Sequence, residues 1–108
     1  VTGVDTSVAL VTAPSTDVGV DLCRRLVEER LAACGNVVPG IRSIYRWEGR
    51  VMDEVEVLLV LKTVQGRVPE LIARTRELHP YDVPEILVLD VKAGHMPYLE
   101  WVKRETGS

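Results

Sequence analysis

A strand-helix-strand-strand-helix-strand order predicts an α+β fold of the ferredoxin-like, split βαβ kind, with two helices on one face of an antiparallel sheet. Three observations carry it. Short apolar runs stand at Ser7–Ala13 and Glu85–Val91; two stretches repeat apolar residues at spacings of three and four; between these lie two long strand-like segments joined by a glycine turn. At 108 residues the chain is expected to form a single domain over 1–108 with one core.

The first run, SVALVTA, halts at Pro14, and Ser15, Thr16 and Asp17 are residue types that cap helix N-termini. From Val18 to Ala33, Leu22, Cys23, Leu26, Val27 and Leu31 mark one apolar face, and Gly35 is expected to end this helix. Asn36–Trp47 reads as a long strand interrupted at Pro39-Gly40, where a missing amide and a permissive glycine favour a bulge or bend. Glu48-Gly49-Arg50 supplies a turn, and Val51–Thr63 returns antiparallel. Pro69 suits the first turn of a second helix with Val68, Leu71, Ile72, Thr75 and Leu78 on one face, and His79-Pro80 stops it. Glu85–Val91 is the fourth strand, and Met96–Glu105 a short C-terminal helix carrying Tyr98, Leu99, Trp101 and Val102.

Both Val8/Leu10 and Ala9/Val11 are apolar in the first strand, as are Ile86/Val88 and Leu87/Leu89 in the fourth, so each presents apolar side chains to both faces of the sheet. Two helices bury only one. The other face would expose a larger apolar patch than soluble monomers usually carry, at roughly 25 cal/mol per Å². A homo-oligomer packed through its sheets is therefore expected.

Thirteen basic against sixteen acidic residues leave a formal charge of -3, which argues against nucleic acid or an anionic membrane as the main partner. Cys23 and Cys34 have neither the spacing of a zinc knuckle nor that of a redox motif, which points to a reducing cytoplasm. The longest apolar run, Val57–Leu61, is too short to cross a bilayer. The first loop lacks the paired cysteines of a copper chaperone and the arginine of an acylphosphatase. The Val- and Leu-rich third strand lacks the stacking aromatics of an RNA-recognition domain.

His79 and His95 are the only histidines, and neither has the local spacing of a zinc site. No nucleophile elbow or phosphate-cradling glycine loop is present. On the third strand Glu54, Glu56 and Lys62 share parity, opposite to Val55, Val57, Leu59 and Leu61, and Tyr45 and Trp47 share parity on its partner. If copies of the chain cover that face, these groups line a cleft between subunits. Cys34 offers a soft ligand for copper or zinc, with a buried small hydrophobe as the alternative; His95-Met96 pairs imidazole with thioether without completing a site.

Val11-Thr12-Ala13-Pro14, Leu31-Ala32-Ala33-Cys34, Asn36, Pro39-Gly40, Ser43, Tyr45, Trp47-Glu48-Gly49, Glu56, Leu61-Lys62-Thr63, His79-Pro80-Tyr81, Pro84-Glu85, Tyr98-Leu99 and Trp101, in this order, resemble the CutA divalent-cation tolerance family over nearly the whole chain. The resemblance implies a compact homotrimer of ferredoxin-like subunits, architecturally similar to trimeric PII signalling proteins, with the kinked strand reaching a neighbour. It implies tolerance to divalent metals, copper in particular, with no required cofactor and no enzyme activity. Carried over onto matching positions, the candidate cleft comprises Tyr45, Trp47, Glu56, Lys62, Tyr81, Glu85 and Trp101, with Cys34 and His79 as candidate metal ligands. Copper-linked relatives place a cysteine immediately before Thr-Ala-Pro, where this chain has Val11, so no thiol site is expected there. Two other functional classes stay open. One is an enzyme using Lys62 and a carboxylate such as Glu85 for acid-base chemistry, and the other is a scaffold for another protein.

Overall fold

Strands form where β-branched and leucine residues cluster, and the computed structural model, which describes residues 5–107, places four of them in one sheet. The single-domain expectation over 1–108 extends beyond the described residues at 1–4 and 108. The elements run β1 (Thr6–Ala13), α1 (Thr16–Glu28), β2 (Cys34–Trp47), β3 (Arg50–Val64), a 3₁₀ turn (Gln65–Arg67), α2 (Val68–Leu78), β4 (Ile86–Asp90) and α3 (Met96–Glu105). All pairings are antiparallel and the strand order is β2-β3-β1-β4, as a ferredoxin-like fold requires. The core lies under α1 and α2, where Ala9, Val11, Leu59 and Leu61 of the sheet meet Leu22, Leu26 and Leu71 of the helices. Each fully buried leucine contributes about 1.5–3 kcal/mol.

Helix α1 starts as its sequence predicts, with the Ser15 side chain accepting from the Val18 amide at 3.2 Å. Its end differs from expectation. The helix stops at Glu28, not at Gly35, because Arg30 takes the left-handed conformation at φ 61°. The Arg30 amide then reaches the Val27 carbonyl (3.0 Å) and the Leu31 amide the Leu26 carbonyl (2.9 Å), and buried Leu31 and Leu26 complete the capping motif. Gly35 has a different task inside β2. A Cβ there would lie 2.7 Å from Cys23 Sγ and 2.8 Å from Leu61 Cδ2, so the missing side chain lets α1 sit directly on the sheet.

The hairpin turns through Glu48 (φ 49°) and Gly49 (φ 77°), the two positive φ values of a tight two-residue connection, which pairs Trp47 with Arg50. Counting back from that turn, Tyr45 opposes Met52, Ser43 opposes Glu54 and Ile41 opposes Glu56. Between Ile41 and Val38 the register slips at Pro39-Gly40, so β2 spends one extra residue there. This slip reverses the parity of β2. Residues 34, 36 and 38 share the helix-free face with Lys62, Val60 and Leu58, and beyond the bulge Ile41, Ser43, Tyr45 and Trp47 occupy that same face.

That helix-free face is apolar, as its sequence implies: Val8, Leu10, Leu58 and Val60 are half-buried, and Leu87 and Leu89 are each 55% exposed. Helix α3 covers only one end of it, where Val102 and Trp101 pack on Ala33 and Val64. The hairpin arm adds Ile44, Val51 and Val55, all largely exposed, on its other side, where Arg42 grips Asp53 with two bonds of 2.7 and 3.0 Å. Those bonds hold the Asp53 carboxyl below its ordinary range.

Candidate functional site

Between the hairpin arm and the loop preceding β4 lies a groove of about 770 Å³. The bulge makes it, by turning Tyr45 and Trp47 onto the side that carries Glu54 and Glu56. Of the residues expected to form a cleft, Tyr45, Trp47, Glu56, Tyr81 and Glu85 line it together.

The loop is held by His79. Its Nδ1 accepts from the Tyr81 amide at 3.1 Å, so Nε2 carries the proton and donates to the Thr12 carbonyl at 2.7 Å. With the ring buried and its centroid 4.8 Å from that of Tyr81, the two planes tilted by 55°, His79 sets the direction of that tyrosine. Tyr81 in turn donates to Glu56 Oε2 at 2.8 Å, and Tyr45 donates to Glu54. Burial, then the bond to Glu56, raises the Tyr81 hydroxyl well above its ordinary range, and the bond to Glu54 raises that of Tyr45. Both phenols are therefore donors throughout the physiological range.

The remaining predicted residues sit elsewhere. Lys62 is six residues from Glu56 on β3, roughly 20 Å away, and points its ammonium at Asn36 Oδ1. Lys62 and Glu85 are likewise kept apart, because Lys62 shares the Val8 rung with Leu89, four residues beyond Glu85. One chain thus offers no Lys62–Glu85 acid-base pair. Trp101 is a packing residue of α3, 5.6 Å from the Tyr98 ring. Cys34 opposes Lys62, with its Sγ 3.5 Å from Tyr98 Oη. Burial, then that contact, pushes the Tyr98 hydroxyl up to about 12.

As a metal pair within one chain, Cys34 and His79 do not meet. The Cys34 rung at Lys62 is four residues, about 13 Å, from the Leu58 rung that holds Thr12 and hence His79. Both His79 nitrogens are already engaged, and among the described residues no group of three His, Cys, Asp or Glu side chains is placed to hold an ion. The sequence placed Glu54 with Glu56 by strand parity but did not assign Thr12 or Asp82 to the groove. Glu54 was legible through the hairpin register, which sets it diagonal to Tyr45.

Cys23 is a buried residue of α1. Burial first, with Cys34 adding and Lys62 opposing, pushes its thiol from 9.0 up to about 11. Below pH 9 both states hold the proton. Between pH 9 and 11 the unfolded chain releases it while the folded chain keeps it, so stability falls as pH rises through that window, by about 2 kcal/mol from this group. Urea unfolding should show the wild type losing that much relative to Cys23→Ala between pH 8 and 11; a constant difference would refute the assignment. At pH 8 the native Cys34→Ser variant should leave Cys23 unlabelled by thiol reagents until it is denatured.

The family described as CutA1 divalent ion tolerance protein matches residues 7–105. The chain is 49% identical over 100 residues to the divalent-cation tolerance protein CutA of Thermus thermophilus, covering 93% of this chain and 97% of that protein. It is 45% identical over 102 residues to the human protein CutA, covering 94% of this chain and 57% of that one, so it spans little more than half of this longer relative. A solved structure of the Thermus thermophilus protein superimposes with a TM-score of 0.92 at 48% identity, covering 94% of this chain and 99% of that chain. Relatives from rice and Arabidopsis are named chloroplastic, and a solved relative from Archaeoglobus fulgidus is described as periplasmic. These overturn the cytoplasmic placement drawn from the cysteines, whose spacing reports on disulfide frameworks and not on compartment. No helix among the described residues is long and apolar enough to cross a membrane. With the ferredoxin-like sheet, the Pro39-Gly40 bulge and the His79-Pro80-Tyr81 loop all in place, the chain belongs to the CutA1 divalent ion tolerance family.

Proposed function

We propose that the chain is a non-enzymatic binding protein for divalent cations, copper among them, that works as a homotrimer and senses a ligand in its groove in the manner of PII-like signalling proteins. The observation that carries this reading is the apolar helix-free face, from Leu89 across Leu10 to Val60, joined to membership of a family named for divalent-ion tolerance. Such a face is buried when copies pack sheet to sheet, and the exposed hairpin arm then reaches a neighbour. Cys34 is the partly accessible soft donor, and the engaged nitrogens of His79 make it a positioning residue instead of a ligand. Cation binding is accordingly weak in one chain and is completed between copies.

Calorimetric titration of copper ion into the wild type, Cys34→Ser and His79→Ala tests this. Outer-shell partners alone are worth about 10–100-fold in metal affinity, so loss of the thiol should weaken binding by at least about tenfold. His79→Ala should leave affinity within about threefold, a change under 1 kcal/mol. Equal affinity in the wild type and Cys34→Ser would reject Cys34 as a ligand.

A further inference from the structure

Two opposite charges on the helix-free face lack counter-charges within their own chain. Glu56 is only 7% exposed, yet among the described residues no cationic side chain pairs with it. Its Oε2 accepts from Tyr81, while Oε1 accepts from no protein group and is open to the surface. Lys62 is half-buried, donates to Asn36 Oδ1 and meets no carboxylate. Once a second copy excludes water from this face, either ion left alone is costly and the two together are not.

Strand register sets them at opposite ends of the face. Lys62 shares its rung with Val8 and Cys34 near α3, whose Tyr98 reaches Cys34. Glu56 opposes Ile41 at the root of the hairpin arm, where Glu54 and Glu85 line the same groove. Roughly 20 Å of strand separates them, too far for any rotamer change to join them in one chain. Between them the strands present Leu58, Val60, Leu10 and Val38, all uncharged. The face is thus acidic at one end, basic at the other and apolar in the middle. Such a surface complements a copy of itself head to tail, and head-to-tail contacts close into rings. The other cation that the strands set on this face is Arg50, which stays exposed at the arm's tip opposite Trp47.

We propose that Lys62 of one copy pairs with Glu56 of the next, so that the groove beside the arm is completed by a cation its own chain cannot deliver. The pairing rests on the reading that copies pack through this face, and it adds the two residues that decide which end meets which.

A double-variant cycle on the assembled protein tests it, with wild type, Lys62→Gln, Glu56→Gln and the double variant compared. Urea-driven loss of the assembled species is followed by sedimentation at fixed protein concentration, with circular dichroism reporting the fold. Removing one member of a desolvated pair should raise the dissociation constant per contact by about thirtyfold or more. The double variant should lose no more than about threefold beyond the weaker single variant. Residues this far apart in one chain contribute additively, so coupling between them reports contact between copies. Arg50→Gln is the control and should leave assembly within about threefold. Additive losses, no loss in either single variant, or coupling of Glu56 to Arg50 in place of Lys62 would overturn the proposal. Should a glutamine variant not fold, carbodiimide treatment of the wild type reads the same contact. An amide joining Lys62 to Glu56 spans two copies by necessity and is expected in the digested protein; Lys62 joined only to other carboxylates would overturn the pairing. A wild type that sediments as single chains contradicts the preceding reading, whereas an assembled wild type with additive losses contradicts this pairing alone.

Discussion

Leu61→Ala is expected to lower folding stability by about 4–5 kcal/mol, the upper end of the range for a buried leucine. Leu61 is fully buried, and its cross-strand neighbours are the two smallest residues, Ala9 on β1 and Gly35 on β2. Neither can grow into the space left behind, so the cavity persists and its full penalty is felt. Leu59 has larger neighbours, Val11 and Val37, and its truncation should cost about 1 kcal/mol less. The same site resists enlargement. Gly35→Ala places a methyl group between Cys23 and Leu61 with nowhere to go, at about 1–3 kcal/mol. Combined with Leu61→Ala, that methyl group enters the vacated space, and the double variant should be more stable than the sum of the two losses predicts. Urea unfolding at matched protein concentration measures all four variants. Equal losses for Leu59 and Leu61, with simple additivity, would contradict this packing.

Leu10→Asp is expected to convert the assembled protein to single subunits while leaving the fold in place. Leu10 stands mid-strand on the helix-free face between Val60 and Leu87, half-buried within one chain. Solvent hydrates a carboxylate at that position in a lone subunit, so the cost to the monomer is small. In a sheet-to-sheet assembly the same charge is buried without a partner in every copy, at several kcal/mol each. Val20→Asp, on an exposed position of α1, is the control and should leave the assembly unchanged. Sedimentation with circular dichroism reads both properties. A Leu10→Asp protein that stays assembled would show that this face is not the contact.

Strand identity, strand order and the kink were legible because their signals are local: apolar runs, a Glu-Gly turn, and a Pro-Gly pair that cannot continue a ladder. The end of α1 was not, since its stop is a hydrogen-bond motif closed by Arg30, a residue with no glycine-like preference for positive φ. For the site, residue type pointed to Tyr45, Trp47, Glu56, Tyr81 and Glu85, and the register then gathered them. Partners decided the rest. Within one chain His79 holds the Thr12 carbonyl and the Tyr81 amide on its two nitrogens, and Trp101 of α3 packs on Ala33 and Val64. The contacts of His79 with Thr12 and of Trp101 with Val64 join residues far apart in the chain and leave no periodic trace in it.

The helix-free face makes self-assembly the central claim, and sedimentation equilibrium of the unmodified chain at micromolar concentration tests it most directly. A single species of three times the 12.0 kDa chain mass is predicted. A stable species of one chain mass, folded and soluble, would contradict it.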